Sequence, residues 1–122
     1  MTLDTGALLA LERGQPRIRA LLQRVVENGI AVTVPTGVIA QAWRGGPRQA
    51  RVARLLGDPA VTVVALDELE ARAVGLLCGR SGHSDVVDVH VALVARDRDS
   101  TVVTSDPDDL RHVDPAVSLI VV

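Results

Sequence analysis

The chain has 122 residues, enough for one domain with a packed core and crowded for two, and its 48% apolar fraction is nearly all Val, Leu and Ala, with one Trp and no Phe or Tyr. All 13 basic residues are Arg; the absence of Lys excludes a Walker A phosphate loop, a Schiff-base enzyme and a receiver domain of the usual kind. A net charge of -2 provides no global basic field for nucleic acid, and the shortage of aromatics argues against base-stacking platforms, so contact with nucleic acid would fall to local Arg patches.

Short Val-rich runs alternate with longer helical patterns. Residues 1–4 read as a very short first strand, and 6–13 as one or two helical turns ended by Gly14 and Pro16. Residues 17–27 carry Ile18, Leu21, Leu22, Val25 and Val26 at amphipathic helix spacing, stopped by Asn28-Gly29. A second strand, 30–34, precedes a helix opened by Pro35 and running to about Arg44. Gly45-Gly46-Pro47 breaks the chain before a helix over 48–56, and 61–66 is a third strand. Asp67 caps a helix to about Gly79 with Leu69, Ala73, Leu76 and Leu77 expected inward. A loop over 81–84 leads to a helix over 85–95, where Val87, Val91, Val94 and Ala95 share a face and the period overrides the strand propensity of Val. A fourth strand (101–104), a short helix (107–111) and a last strand (117–121) complete the chain. This alternation predicts one α/β domain over 1–122, a three-layer α/β/α sandwich with a mainly parallel central sheet of about five strands.

In such a sheet, ligands sit beyond the carboxyl ends of the strands. The first strand ends in Asp4, and the fourth in Thr104-Ser105-Asp106. The helix after Gly82 opens with Asp85 and Asp88, three residues apart and on one face. Three distant segments can therefore bring acids to one edge, where a hard cation such as Mg²⁺ or Mn²⁺ relieves their repulsion and activates water. Any one of these acids taken alone reads more readily as a helix cap than as a ligand, Asp85 most of all; the joint placement of Asp4, Asp88 and Asp106 carries the information.

Three segments carry a family resemblance. Leu3-Asp4-Thr5-Gly6-Ala7-Leu8-Leu9-Ala10 resembles the opening of a PIN domain, Asp85-Val86-Val87-Asp88-Val89-His90-Val91-Ala92 its central acidic helix, and Val102-Val103-Thr104-Ser105-Asp106-Pro107-Asp108-Asp109-Leu110 its last acidic strand end. Size and plain architecture resemble the VapC-like toxins of toxin–antitoxin pairs. The resemblance implies an endoribonuclease that depends on Mg²⁺ or Mn²⁺. It implies Asp4, Asp88 and Asp106 as ligands, Asp85 as a further candidate, and Thr104 as a hydroxyl that orients an acid or a water. It also implies RNA as substrate, a cognate antitoxin as partner and a homodimer.

The sequence departs from the family at one place. The helix after the second strand usually carries a Glu, and Gln41 stands there. Gln keeps the shape and a carbonyl oxygen but removes one negative charge. The alternative reading is therefore a PIN-like binding module with weak or absent nuclease activity. A hydrolase of small phosphate esters ranks below both, because a phosphoaspartyl enzyme normally needs a basic partner that Lys would supply.

Arg44, Arg48, Arg51 and Arg54 lie in a stretch free of acids from Gln41 to Gly57 and form a candidate surface for RNA or an acidic partner. Trp43 reads as an anchor in the core or at an interface. His83, His90 and His112 lack zinc spacing with Cys78 and read as surface or packing residues. A lone Cys, the absence of a basic-then-apolar amino terminus, and a longest charge-free apolar-rich stretch (29–43) interrupted by Pro35 predict a cytoplasmic protein with no membrane segment.

Overall fold

A computed structural model describes residues 1–122. The elements follow in the order β1 (Thr2–Leu3), α1 (Thr5–Glu12), α2 (Pro16–Glu27), β2 (Val32–Pro35), α3 (Thr36–Ala42), a 3₁₀ turn (Pro47–Gln49), α4 (Ala50–Leu56), β3 (Val61–Val64), α5 (Glu68–Ser81), α6 (Val86–Asp97), β4 (Val102–Thr104), α7 (Pro107–Val113) and β5 (Leu119–Val121). All five strands join one sheet in the order β3-β2-β1-β4-β5. Every pairing is parallel, with Thr2 opposite Thr33 and Val102, Val32 opposite Val61, and Val102 opposite Leu119. The chain therefore builds outward from β1 to β3, crosses back, and continues on the other side of β1 with β4 and β5.

That crossing creates the topological switch point, and it lies between β1 and β4. Parallel strands buried on both faces read as unbroken apolar runs; β4 (Val102, Val103, Thr104) is fully buried, and Leu3, Val32 and Val34 are 0% exposed. One group of helices, α2, α3 and α4, gathers around α1, while α5 and α7 gather around α6, and both α1 and α6 lie against β1 and β4. The expected three-layer α/β/α sandwich is present.

α6 is the central helix of its layer. Seven consecutive residues, Val89 to Ala95, are buried, so this helix is enclosed on all sides and not merely amphipathic. His90 is the one strongly polar side chain among them, and its Nε2 meets Glu70 Oε2 of α5 at 3.1 Å. This confirms it as a packing residue. Small residues allow the close approaches. A methyl group on Gly37 would come within 3.0 Å of Val87 on α6. One on Gly6 would run into the side chain of Ser105, just past β4.

Two expectations need correction. Leu69 and Leu76 do not face inward on α5; they are 79% and 63% exposed, and the fully buried position is Val74. The helix is turned so that Glu70 reaches His90, which places the Leu69–Leu76 stripe outside. Trp43 is not a core residue either: it ends α3 at the surface, 41% exposed.

Candidate active site

Asp4 is the N-cap of α1. Its Oδ1 accepts the backbone N–H of Ala7 at 2.8 Å, and the residue is buried to 8% exposure at the end of β1. Beside it, Thr104 closes β4 and is fully buried. Its Oγ1 accepts the Asp106 backbone N–H at 2.8 Å, and its side chain lies near enough to the Asp4 carboxylate to hold that carboxyl down. Thr104 thus stands beside Asp4 where the paired strands β1 and β4 end, at the switch point. Asp106 is the residue before α7; it is exposed at the surface, makes no side-chain cap bond there, and lies beside Asp109.

α6 brings the next acids. Asp85 caps it, with Oδ1 accepting from the N–H groups of Val87 (2.9 Å) and Asp88 (3.2 Å). The capping role weighed for Asp85 is therefore realised, and it occupies one of the two carboxylate oxygens. Asp88, in the first turn, points toward His83, whose Nε2 lies 3.1 Å from Asp88 Oδ2. Gln41, exposed on α3, accepts the Thr5 hydroxyl on Oε1 at 2.5 Å and so stands against the residue that follows Asp4.

The electrostatics agree with the geometry. Burial pushes the Asp4 carboxyl above its ordinary value, the bonds from Thr104 and Ala7 pull it back, and the charges of Asp88 and Asp106 push it up again. Burial also raises Asp88; His83 opposes this, while Asp85 and Asp109 add to it. Asp106 is raised too. Desolvation of its carboxylate contributes even at the surface, and Asp109 adds its charge and a side-chain hydrogen bond. Asp4, Asp88 and Asp106 thus all favour a proton or a cation over standing charged together. An all-oxygen, mutually repelling donor set of this kind fits a hard divalent ion.

The arginines divide. Arg48, Arg51 and Arg54 join Arg13 and Arg19 around a surface concavity of about 740 Å³ at the far end of α1 from Asp4. Arg44 does not join them; its guanidinium donates to the carbonyls of Ala40 and Trp43 and closes the end of α3. The sequence reading missed Arg13 and Arg19, which come from other segments. The sequence reads His83 as a surface or packing residue and Asp109 as a cap of the short helix or a support to the site; the structure brings both to Asp88, with one donor atom from each of the three within 4.8 Å of the others. The spacing of His83 and Asp88, five residues apart across a loop, gives no sign of the contact.

A five-stranded parallel sheet with helices on both faces, and Asp4 at its switch point, defines an open α/β fold that places ligands at that edge. The chain belongs to the PIN domain family, whose description matches residues 1–115; members of this family are generally nucleases. No curated protein matches the chain by sequence. Among solved structures it is similar to FitAcB from Neisseria gonorrhoeae, at 19% identity and a TM-score of 0.63, covering 98% of this chain and 95% of that one. It is also similar to FitAB bound to an IR36 DNA fragment, at 17% identity and a TM-score of 0.66, covering 98% and 94%. At such identities these likenesses concern the fold. No helix is long and apolar enough to cross a membrane.

Proposed function

We propose that residues 1–122 act as one PIN domain, an endoribonuclease dependent on Mg²⁺ or Mn²⁺, and that it is the toxin of a toxin–antitoxin pair. The reading is supported by Asp4 at the end of β1, whose carboxyl is raised by burial and by the charges of Asp88 and Asp106, and by the raised carboxyls of Asp88 and Asp106 themselves. Asp4, Asp88 and Asp106 would hold the cation, which when bound supplies charge neutralisation and activation of water for attack on a phosphodiester. Thr104 positions Asp4 through its hydroxyl, and Asp85 holds the first turn of α6 so that Asp88 faces the site. Gln41 takes the place of a fourth carboxylate and offers a carbonyl oxygen already engaged by Thr5. The concave arginine surface supplies phosphate or acidic-partner contacts through Arg48, Arg51 and Arg54. The likeness to FitAcB and to FitAB supports an antitoxin as partner. The exposed Leu69 and Leu76 support a homodimer, and the lack of a membrane-spanning helix is compatible with a cytoplasmic place of action.

The test is cleavage of RNA by the purified chain freed of any partner. Cleavage is expected with Mg²⁺ or Mn²⁺, none with EDTA, and a fall of roughly 100-fold or more in Asp88→Asn, the scale of losing a principal electrostatic group. Activity that survives in EDTA or in Asp88→Asn removes the metal mechanism. Gln41→Glu restores a fourth charge and is expected to tighten Mg²⁺ binding by calorimetry. Wild-type protein that binds neither cation, with Gln41→Glu gaining both binding and cleavage, would favour the second reading, a PIN-like binding module silenced at Gln41.

A further inference from the structure

The loop between α5 and α6 brings a nitrogen donor to the carboxylates. Gly82 ends α5 in the left-handed region (φ 72°), a conformation that favours glycine, and the chain turns there toward the first turn of α6. His83 follows it. Its side chain is 15% exposed, and its Nε2 is in hydrogen-bond contact with Asp88 Oδ2 at 3.1 Å. α7 supplies the other wall. Asp109 and His112 are three residues apart on this helix and share a face. The His112 ring lies 5.5 Å from that of His83.

Donor atoms of His83, Asp88 and Asp109, one from each, lie within 4.8 Å of one another. Ligands held about 2.0–2.2 Å from a shared ion sit about 3–4 Å apart, so side-chain adjustment alone closes the ring. With the imidazole proton on Nδ1, the lone pair of Nε2 faces the two carboxylates. One imidazole nitrogen with two carboxylates suits Zn²⁺ and its transition-metal neighbours. It suits Mg²⁺ poorly, because Mg²⁺ takes oxygen ligands and retains much of its water.

We propose that His83, Asp88 and Asp109 form a transition-metal site that selects Zn²⁺-class ions over Mg²⁺. The site differs from the Asp4, Asp88, Asp106 set in its nitrogen donor and in its use of α7, and it shares Asp88 with that set. Sharing has a consequence: a Zn²⁺ ion held by His83 draws on Asp88 and competes with the cation that serves RNA cleavage. This competition rests on the nuclease reading, whereas the binding site does not.

Co²⁺ is the probe, because its visible absorption reports ligand type and geometry. The metal-free full-length chain is expected to bind one Co²⁺ with a visible spectrum of mixed nitrogen and oxygen ligation, displaced by Zn²⁺ and not by excess Mg²⁺. His83→Ala and His83→Gln are each expected to weaken Co²⁺ binding at least about 10-fold, the lower end of what even an outer partner of a metal ligand contributes. Asp97→Asn, at the opposite end of α6 from Asp88, is expected to leave it unchanged. Circular dichroism and melting of the metal-free variants check that each is folded. Co²⁺ affinity equal in wild type and both folded His83 variants overturns the site, as does displacement by Mg²⁺. If RNA cleavage depends on Asp88 while the His83 variants bind Co²⁺ like wild type, the nuclease reading stands and this site falls. If Co²⁺ binds through His83 and no RNA is cleaved, this site stands and the nuclease reading falls.

Discussion

Asp4 answers two demands at one carboxylate. Its Oδ1 caps α1, which favours the folded chain, while burial and the charges of Asp88 and Asp106 oppose its ionisation. A folded-state pKa above the unfolded one means that the folded chain binds the proton more tightly. The resulting stability is fully present below the ordinary carboxylate pKa and is lost as the pH rises through the raised value. Without cation, Asp4→Asn keeps an oxygen for the cap and removes the buried charge. It is expected to melt several degrees higher than wild type at pH 7, with the gain vanishing as the pH falls below the ordinary carboxylate range. Melting curves in EDTA across pH measure this, and a gain that persisted unchanged in acid would assign it to something other than charge. At the same scale, the places of Asp4, Asp88, Asp106 and Thr104 in the fold were legible because each sits at or near the end of an element that the sequence delimits. His83 and Asp109 were not, since their contact with Asp88 depends on how a loop and a short helix pack in space.

Among the elements, the junction of α3 and α4 depends on one buried amide. Gln49, 2% exposed, accepts the backbone N–H groups of Arg44 and Gly45 on Oε1 and donates from Nε2 to the Ala42 carbonyl. It thereby closes the end of α3 and fixes the Gly45-Gly46 turn, where both residues have positive φ (77° and 87°). Gln49→Ala leaves those three backbone groups without their partner and is expected to cost about 2 kcal/mol, measured by urea unfolding, since an unmade buried hydrogen bond costs about 1–3 kcal/mol. A cost near zero would mean that water replaces the amide. Nothing in the sequence marks Gln49, because a Gln in a basic helical stretch reads as a surface residue. α6 shows the opposite case: its length and period identified a helix despite its Val content, and the seven-residue buried run explains why Val is tolerated there. α5 was legible as a helix but not in its orientation, because its apolar residues cover more than one face and the Glu70–His90 bond selects between them.

For the whole molecule, the order β3-β2-β1-β4-β5 puts the switch point between β1, which leads into Asp4, and β4, which leads toward Asp106; the alternation of elements foretold a parallel sheet but not this order. The outer surface was less legible, because exposure depends on how each helix is rotated. Leu69 and Leu76, seven residues apart and so on one face of α5, are the most exposed large apolar side chains, and Leu66 and Val86 are exposed at either end of that helix. Exposed apolar side chains grouped on one helix face mark an interaction site more often than a free face. If α5 meets its counterpart in a second copy, a charge on that stripe is repeated across the two-fold axis and left without a partner. Leu76→Arg is therefore expected to convert a dimer into a monomer at micromolar concentration in sedimentation equilibrium. Its circular dichroism should match wild type, because Leu76 makes no part of the core. A wild-type chain that sediments as a monomer would overturn the homodimer. A dimer unchanged by Leu76→Arg would move the interface away from α5, leaving the exposed edge of β3, with Val63 at 43% exposure, as the next surface to test.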